Sequence, residues 1–245
     1  AILGPHPILI DEHAATVVGG FLPNASSVIL LPEGGATRPS PMAAVHEAGL
    51  FEATVPVAVE TLRYKLKVTE RGGGITERGD PYAYPPQLTD FDLHLFAEGR
   101  QYRAYDMLGA QVRTLDGVPG VRFVVWAPNA LRVSVVGDFN QWDGRQHAMR
   151  SRGQTGLWEL FIPDLREGAA YKYEIRSRNQ PAPFLKADPY AFAAELRPKT
   201  ASIVRDLYFD WSDSEWMQKR GSVNRLTAPW SIYEVHLGSW KKASD

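Results

Sequence analysis

The sequence contains no cysteine. That excludes disulfides and thiolate metal sites and fits a reducing compartment. An excess of one charge is also missing: 27 Lys and Arg stand against 28 Asp and Glu, for a formal net charge of −1. No Lys/Arg cluster forms a face, so neither a nucleic acid nor an anionic membrane is expected as a partner. No apolar run approaches the roughly 20 residues of a membrane-spanning helix. The opening Ala1-Ile-Leu-Gly-Pro5 has neither the basic region nor the apolar core of a signal peptide. A cytoplasmic location is therefore expected, and the sequon Asn24-Ala25-Ser26 is read as chance. The chain starts without an initiator Met, directly in sequence of structural character, so residues are expected before Ala1.

Catalytic signatures are missing as well. The six histidines (His6, His13, His46, His94, His147, His236) show no metal-ligand spacing. There is no Gly-x-Ser-x-Gly elbow and no phosphate-binding glycine loop. No metal and no cofactor is expected. A glycosidase needs two carboxyl groups roughly 5 to 9.5 Å apart, and nothing in the sequence selects such a pair. Glu234 and His236, on one face of an alternating segment, come closest, and they read better as lining the edge or interior of a further domain.

What is present is ordinary globular composition, 44% hydrophobic and 22% charged, over 245 residues, enough for one large or two average domains. The chain resembles itself. Pro23-Asn24-Ala25 recurs as Pro128-Asn129-Ala130, and Gly49-Leu50-Phe51-Glu52 as Gly156-Leu157-Trp158-Glu159. Pro56 matches Pro163, Tyr64-Lys65 matches Tyr171-Lys172, and Asp80-Pro81-Tyr82-Ala83-Tyr84 matches Asp188-Pro189-Tyr190-Ala191-Phe192. These ordered matches, at offsets of 105 to 108, indicate two copies of one domain.

Each copy reads as all-β. Leu62, Tyr64, Leu66 and Val68 alternate with Arg63, Lys65 and Lys67, and Tyr171, Tyr173 and Ile175 alternate with Lys172 and Glu174. A period of two marks a strand with one face in a core and the other in water. Short strands separated by Pro, Gly, Asn and Asp indicate antiparallel sandwiches of immunoglobulin-like size, without the Cys-Trp-Cys mark of true immunoglobulins. Arg71-Gly-Gly-Gly-Ile75 reads as a hairpin tip, and Trp126 and Trp158 as core positions on strands. Leu88 to Gly109 reads as a connector plus the first strand of the second copy, and Met217 to Gly221 as a short helix. Ser231 to Leu237 alternates like a strand with no partner in either sandwich, which predicts a third domain cut just after its first strand. The expected division is 1–87 for the first sandwich, 88–200 for the second, and 201–245 for a linker and the start of a further domain.

The most informative stretch is Val133-Ser-Val-Val-Gly-Asp-Phe-Asn-Gln-Trp-Asp143. It begins as a strand and breaks at Gly137 into a polar turn carrying Phe139 and Trp142. An aromatic flanked by amides and carboxylates suits a sugar, whose apolar face covers the ring while its hydroxyls meet the polar groups. The alternative is that Trp142 is a lid on the core. Asn140 and Trp142 are the first candidates for contacts. Lys172, on the solvent face of a later strand, and Phe184, in the loop Asn179 to Phe184, are further ones. Lys172 reads equally as a solvated strand position and Phe184 as a loop plug. At the equivalent place the first copy has Pro32-Glu-Gly-Gly-Ala-Thr-Arg38, with no aromatic, so it does not bind in the same way.

Trp126-Ala-Pro-Asn-Ala130, Gly137-Asp-Phe-Asn-Gln-Trp-Asp143, Tyr171-Lys-Tyr-Glu174, Lys186-Ala-Asp-Pro-Tyr190 and Ser231-Ile-Tyr-Glu-Val-His-Leu-Gly-Ser-Trp240 together resemble the N-terminal half of bacterial glycogen branching enzymes. Gly-Asp-Phe-Asn-x-Trp alone is shared with many carbohydrate-binding modules of family 48. Tyr-Glu-Val-His-Leu-Gly-Ser-Trp is sharper and favours branching over debranching or trehalose-forming relatives. The resemblance implies an N-terminal sandwich, a family-48 module, and then an α-amylase-like (β/α)₈ barrel whose first strand is Ser231 to Leu237. It implies α-glucan as partner, together with the chain's own barrel. In the family an aspartate nucleophile, a glutamate acid/base and a second aspartate in that barrel transfer a glucan chain to a 6-hydroxyl. Their motifs do not occur in this sequence, so no catalytic residue is assigned and this portion is expected to be inactive alone. The family pattern supports Trp142 and Lys172 as contacts, and Asn140 and Phe184 less directly. A free-standing glucan-binding scaffold of two sandwiches is the alternative.

Overall fold

The computed structural model describes residues 2–34, 37–223, 226–227 and 229–240. Gly35 and Ala36 of the first-copy loop, and Lys241 to Asp245, lie outside the described residues. The chain divides into two compact units, Ala1–Asp206 and Leu207–Asp245.

The first unit holds both sandwiches. In the first, β1 (Gly4–Ile10), β2 (His13–Phe21), β3 (Ala25–Pro32), β4 (Ser40–Pro41), β5 (Ala43–His46), β6 (Leu50–Val55), β7 (Tyr64–Glu70) and β8 (Ile75–Gly79) form two antiparallel sheets. Their orders are β1-β2-β6-β5 and β4-β3-β7-β8. A core of Val18, Phe51 and Val55 from one sheet and Leu30, Leu66 and Val68 from the other fills the space between them. The period of two over Leu62 to Val68 is thus the signature of that core face, and the glycine run 72–74 is the tip of the β7–β8 hairpin.

The second copy follows the same plan. It contains β9 (Gly109–Leu115), β10 (Val118–Trp126), β11 (Ala130–Gly137), β12 (Arg150–Ser151), β13 (Leu157–Pro163), β14 (Ala170–Ser177), β15 (Gln180–Lys186), β16 (Ala193–Ala194) and β17 (Ser202–Ile203). One sheet runs β12-β13-β10-β9 and the other β11-β14-β17-β16, with β15 also paired to β14. Val121, Phe123 and Leu160 pack against Val133, Val135, Tyr171 and Tyr173.

The duplication extends to single hydrogen bonds. Leu22 N–H donates to Gly49 O as Ala127 N–H does to Gly156 O, each at 2.8 Å. Met42 N–H donates to Val28 O at 2.9 Å, and Met149 N–H to Val133 O at 2.8 Å. Tyr64 donates its hydroxyl to buried Asp80 at 2.6 Å, and Tyr171 donates to buried Asp188 at 2.7 Å. Each carboxylate also caps the turn behind it, accepting from Tyr82 N–H at 2.9 Å or Tyr190 N–H at 2.8 Å. The paired Asp-Pro-Tyr motifs of the sequence are therefore strand-to-turn clamps.

Four expectations need correction. The connector is helical: α1 (Asp90–Ala97) and α2 (Ala104–Met107) precede β9. Thr89 starts α1 in a capping box with Asp92, which outweighs the mixed composition. Trp126 is not core; it is 56% exposed, with its Nε1–H donated to Thr155 O and its edge toward Phe96. Trp158 does pack on the core. Phe184 lies on a strand, because β15 folds back onto β14 as an edge strand, where prolines are tolerated.

The fourth correction falls in the second unit. Residues 231–236 form no strand, and 237–240 are a single helical turn, α4 (Leu237–Trp240). Ile232 and Leu237 are 88% and 81% exposed. A strand exists through a ladder, and no ladder partner for this segment is found among the described residues. The expected helix is present but longer, as α3 (Ser214–Val223).

Candidate functional site

The loop after β11 starts where only glycine fits. A Cβ on Gly137 would lie 2.4 Å from Ala170 O and 2.4 Å from Phe139. The chain then makes one 3₁₀ turn, Asp138–Asn140, and Gln141 and Trp142 follow with φ of 58° and 59°. Two consecutive side-chain-bearing residues in the left-handed region are strained, and such strain persists only where surrounding bonds fix it. Asn140 supplies those bonds. It is buried, its Oδ1 accepts from Gly137 N–H at 3.0 Å, and its Nδ2 donates to Val135 O and to His147 Nδ1, each at 2.9 Å. Asn140 therefore faces inward and holds the loop; it does not line the surface as the sequence reading had it.

His147 must leave Nδ1 unprotonated to accept that bond. Its pKa is pushed down to about 4, chiefly by burial and further by the Arg78 cation. Asp143 is held below the usual carboxylate range by the Arg145 guanidinium, which donates to both its oxygens.

The two loop aromatics divide the roles that the sequence left open. Phe139 packs on the core of the second sandwich and 5.6 Å from the His147 ring, so it is the lid. Trp142 is partly exposed and outside that core, and its Nε1–H donates to Asp138 Oδ1 at 2.7 Å. The carboxylate at i−4 fixes the indole plane, and the motif spacing Asp-x-x-x-Trp carried that signal.

Directly opposed residues of an antiparallel pair share a face. Lys172 and Glu174 on β14 oppose Val136 and Ser134 on β11, on the face turned away from Tyr171 and Tyr173. The loop lies down on that face. A Cβ on Gly144 would come within 2.0 Å of the Glu174 carboxylate, so the loop backbone passes directly over that side chain. Lys172 thus shares that side of the sheet with Gly144 of the loop that carries Trp142. Lys172 donates to Thr200 Oγ1 at 2.7 Å, and Glu174 pairs with Arg132 at 2.5 Å. Phe184 opposes Ile175, on the core-side face, and its ring lies 5.7 Å from the Lys186 ammonium. Register thus puts Lys172 on the face over which the loop passes and Phe184 on the opposite, core-side face. Among the described residues, no group of His, Asp and Glu could hold a metal ion.

Residues 107–191 match the family model for carbohydrate-binding module 48 (isoamylase N-terminal domain), and residues 1–82 match that for the alpha-1,4-glucan branching enzyme GlgB N-terminal domain. The chain is 52% identical to the 1,4-alpha-glucan branching enzyme GlgB of Thermosynechococcus vestitus, covering 99% of this chain and 31% of that protein. It is 48% identical to the enzyme of Paramagnetospirillum magneticum over 100% of this chain and 32% of the relative. With that of Rubrobacter xylanophilus the figures are 51%, 100% and 33%. The chain spans about a third of the length of the curated relatives it matches.

Proposed function

We propose that this chain is the N-terminal, two-domain, non-catalytic portion of a glycogen branching enzyme, and that its second sandwich, residues 88–200 together with β17, binds α-glucan and presents it to a catalytic barrel. The Trp142 ring covers the apolar face of a glucose unit. The Lys172 ammonium, on the side of the sheet over which the loop passes, donates to hydroxyls. Asn140 acts through the loop, by holding the backbone that aims the indole. Phe184, on the other side, meets a different stretch of polymer. The first sandwich, residues 1–87, lacks the aromatic loop and supports the second.

The parent protein transfers α-1,4-glucan segments to form α-1,6 branches in the cytoplasm. Its barrel begins within residues 201–245, after β17, with Ser231 to Leu237 pairing as the first strand once its neighbours are present. Aspartate and glutamate residues of that barrel do the chemistry, so the chain described here makes no branch points by itself.

One observation carries the binding proposal: Trp142 is locked by Asp138 outside the core, on a loop whose strained backbone is fully braced. The test is affinity electrophoresis through a gel containing glycogen, with Trp142→Ala alongside. Retardation of the parent chain, reduced at least about tenfold in apparent affinity by the loss of a central Trp, is expected. Equal mobility of the parent chain with and without glycogen would sink the proposal.

A further inference from the structure

Between the two sandwiches, away from the Trp142 loop, lies a cleft of about 120 Å³. Its floor is a close approach of the copies: a Cβ on Gly79 would fall 2.6 Å from Pro163 of the second sandwich. Tyr84 forms one wall. Its ring meets Phe161 edge-on at 4.8 Å, and its carbonyl accepts from the Arg150 guanidinium, so the side chain is held from both ends.

The charges of the cleft are already matched. Arg63 pairs with Asp116 at 3.3 Å across the junction, and Lys65 pairs with Glu33 at 3.6 Å. Two groups remain. The Tyr84 hydroxyl and the Asp164 carboxylate have no hydrogen-bond partner among the described residues. Asp164 is held in place by its backbone, with φ of 62° and an N–H donated to Pro119 O at 2.8 Å. The phenol faces Asp164, Glu33 and Asp116, and burial together with those carboxylates raises its pKa.

A phosphate or an acidic peptide is disfavoured, because the two cations are engaged and the carboxylates outnumber them. A polyhydroxyl ligand without charge fits: it offers hydroxyls to Asp164, accepts from Tyr84, and lays a ring against the aromatic wall. We propose that this junction cleft is a second α-glucan site, separate from the Trp142 loop and taking another segment of the same polymer. The proposal rests on the glucan-binding reading of the chain.

The test is a titration of the isotopically labelled chain with maltoheptaose, followed by backbone amide shifts. The amides of Tyr84, Asp116 and Asp164 should move, as should those around Trp142 and Lys172. Tyr84→Phe keeps the contact with Phe161 and removes only the hydroxyl. It should weaken the junction titration about fivefold, the worth of one hydrogen bond, and leave the loop titration unchanged. Asp164→Asn should act in the same direction, and Trp142→Ala should spare the junction. Loop amides moving while junction amides stay still would overturn the inference and leave the proposed function standing. So would junction shifts that disappear in Trp142→Ala, since these would be transmitted from the loop. A silent loop with moving junction amides would remove the loop from the proposed function and support the junction site, and silence at both would overturn the two together.

Discussion

His147 shows how one residue ties the candidate loop to the rest of the molecule. It accepts from Asn140, faces Arg78 of the first sandwich, and stays neutral in the fold. In the unfolded chain it takes up a proton near its ordinary value of 6.5, while in the fold it resists until about 4. Between those values the unfolded state binds more protons, so stability falls as pH drops from 6.5 to 4, and nothing further is lost below that. The contribution is at most about 3 kcal/mol. Melting temperatures at pH 7 and pH 4.5 should fall less for His147→Gln than for the parent chain; equal falls would show that His147 is already charged. Asp80 makes a second case. Tyr64→Phe removes its hydroxyl donor and leaves a buried carboxylate with one bond fewer, at an expected cost of about 1–3 kcal/mol in urea denaturation.

At the scale of the element, α1 and the segment 231–237 are instructive opposites. The helix was hidden in a connector of mixed composition, yet its start signal, Thr89 with Asp92, was in the sequence. Local side-chain to backbone bonds were enough to form it. Thr89→Ala should therefore cost about 1 kcal/mol, read as a lower denaturation midpoint with unchanged slope. An unchanged midpoint would mean that packing of Leu93 and Phe96 alone holds the helix. Residues 231–237 carry a clear strand pattern and form none among the described residues, because alternation states a preference for two faces while a ladder needs a neighbour. The β14–β15 pair teaches the same lesson in reverse: Asn179 to Phe184 read as a loop, and the partner strand drew most of it into the edge strand β15.

For the first unit as a whole, duplication supplies the architecture and the junction joins the copies. Arg150 is central to that junction. It donates to Tyr82 O at 2.7 Å and to Tyr84 O, and its guanidinium lies over the Tyr82 ring at 5.6 Å. Tyr82 in turn donates its hydroxyl to Ala148 O at 2.9 Å. Arg150→Met keeps the aliphatic stem and leaves two first-copy carbonyls without their charged donor. A loss of about 1.5–3 kcal/mol is expected, and calorimetry should show the two sandwiches melting in a broader or split transition than in the parent chain. A variant that melts in one sharp transition at the parent temperature would show that the copies are coupled through other contacts.

Periodicity and repetition in the sequence determined the mostly-β class, the two copies, the core faces of β7 and β14 and the presence of an aromatic loop after β11, because each rests on local spacing along the chain. The identities of the exposed and buried loop residues did not follow from spacing. Phe139 and Trp142 are both aromatic in a polar turn, and only the packed fold put one on the core and locked the other outside it. Asn140 looked like a ligand contact because amides bind sugars, and tertiary structure turned it inward to satisfy the strained backbone. Phe184 and Lys172 looked alike as candidates, and strand register placed them on opposite faces. The junction cleft had no sequence signal, since Arg63, Tyr84 and Asp164 are far apart along the chain and meet only when the two copies close on each other.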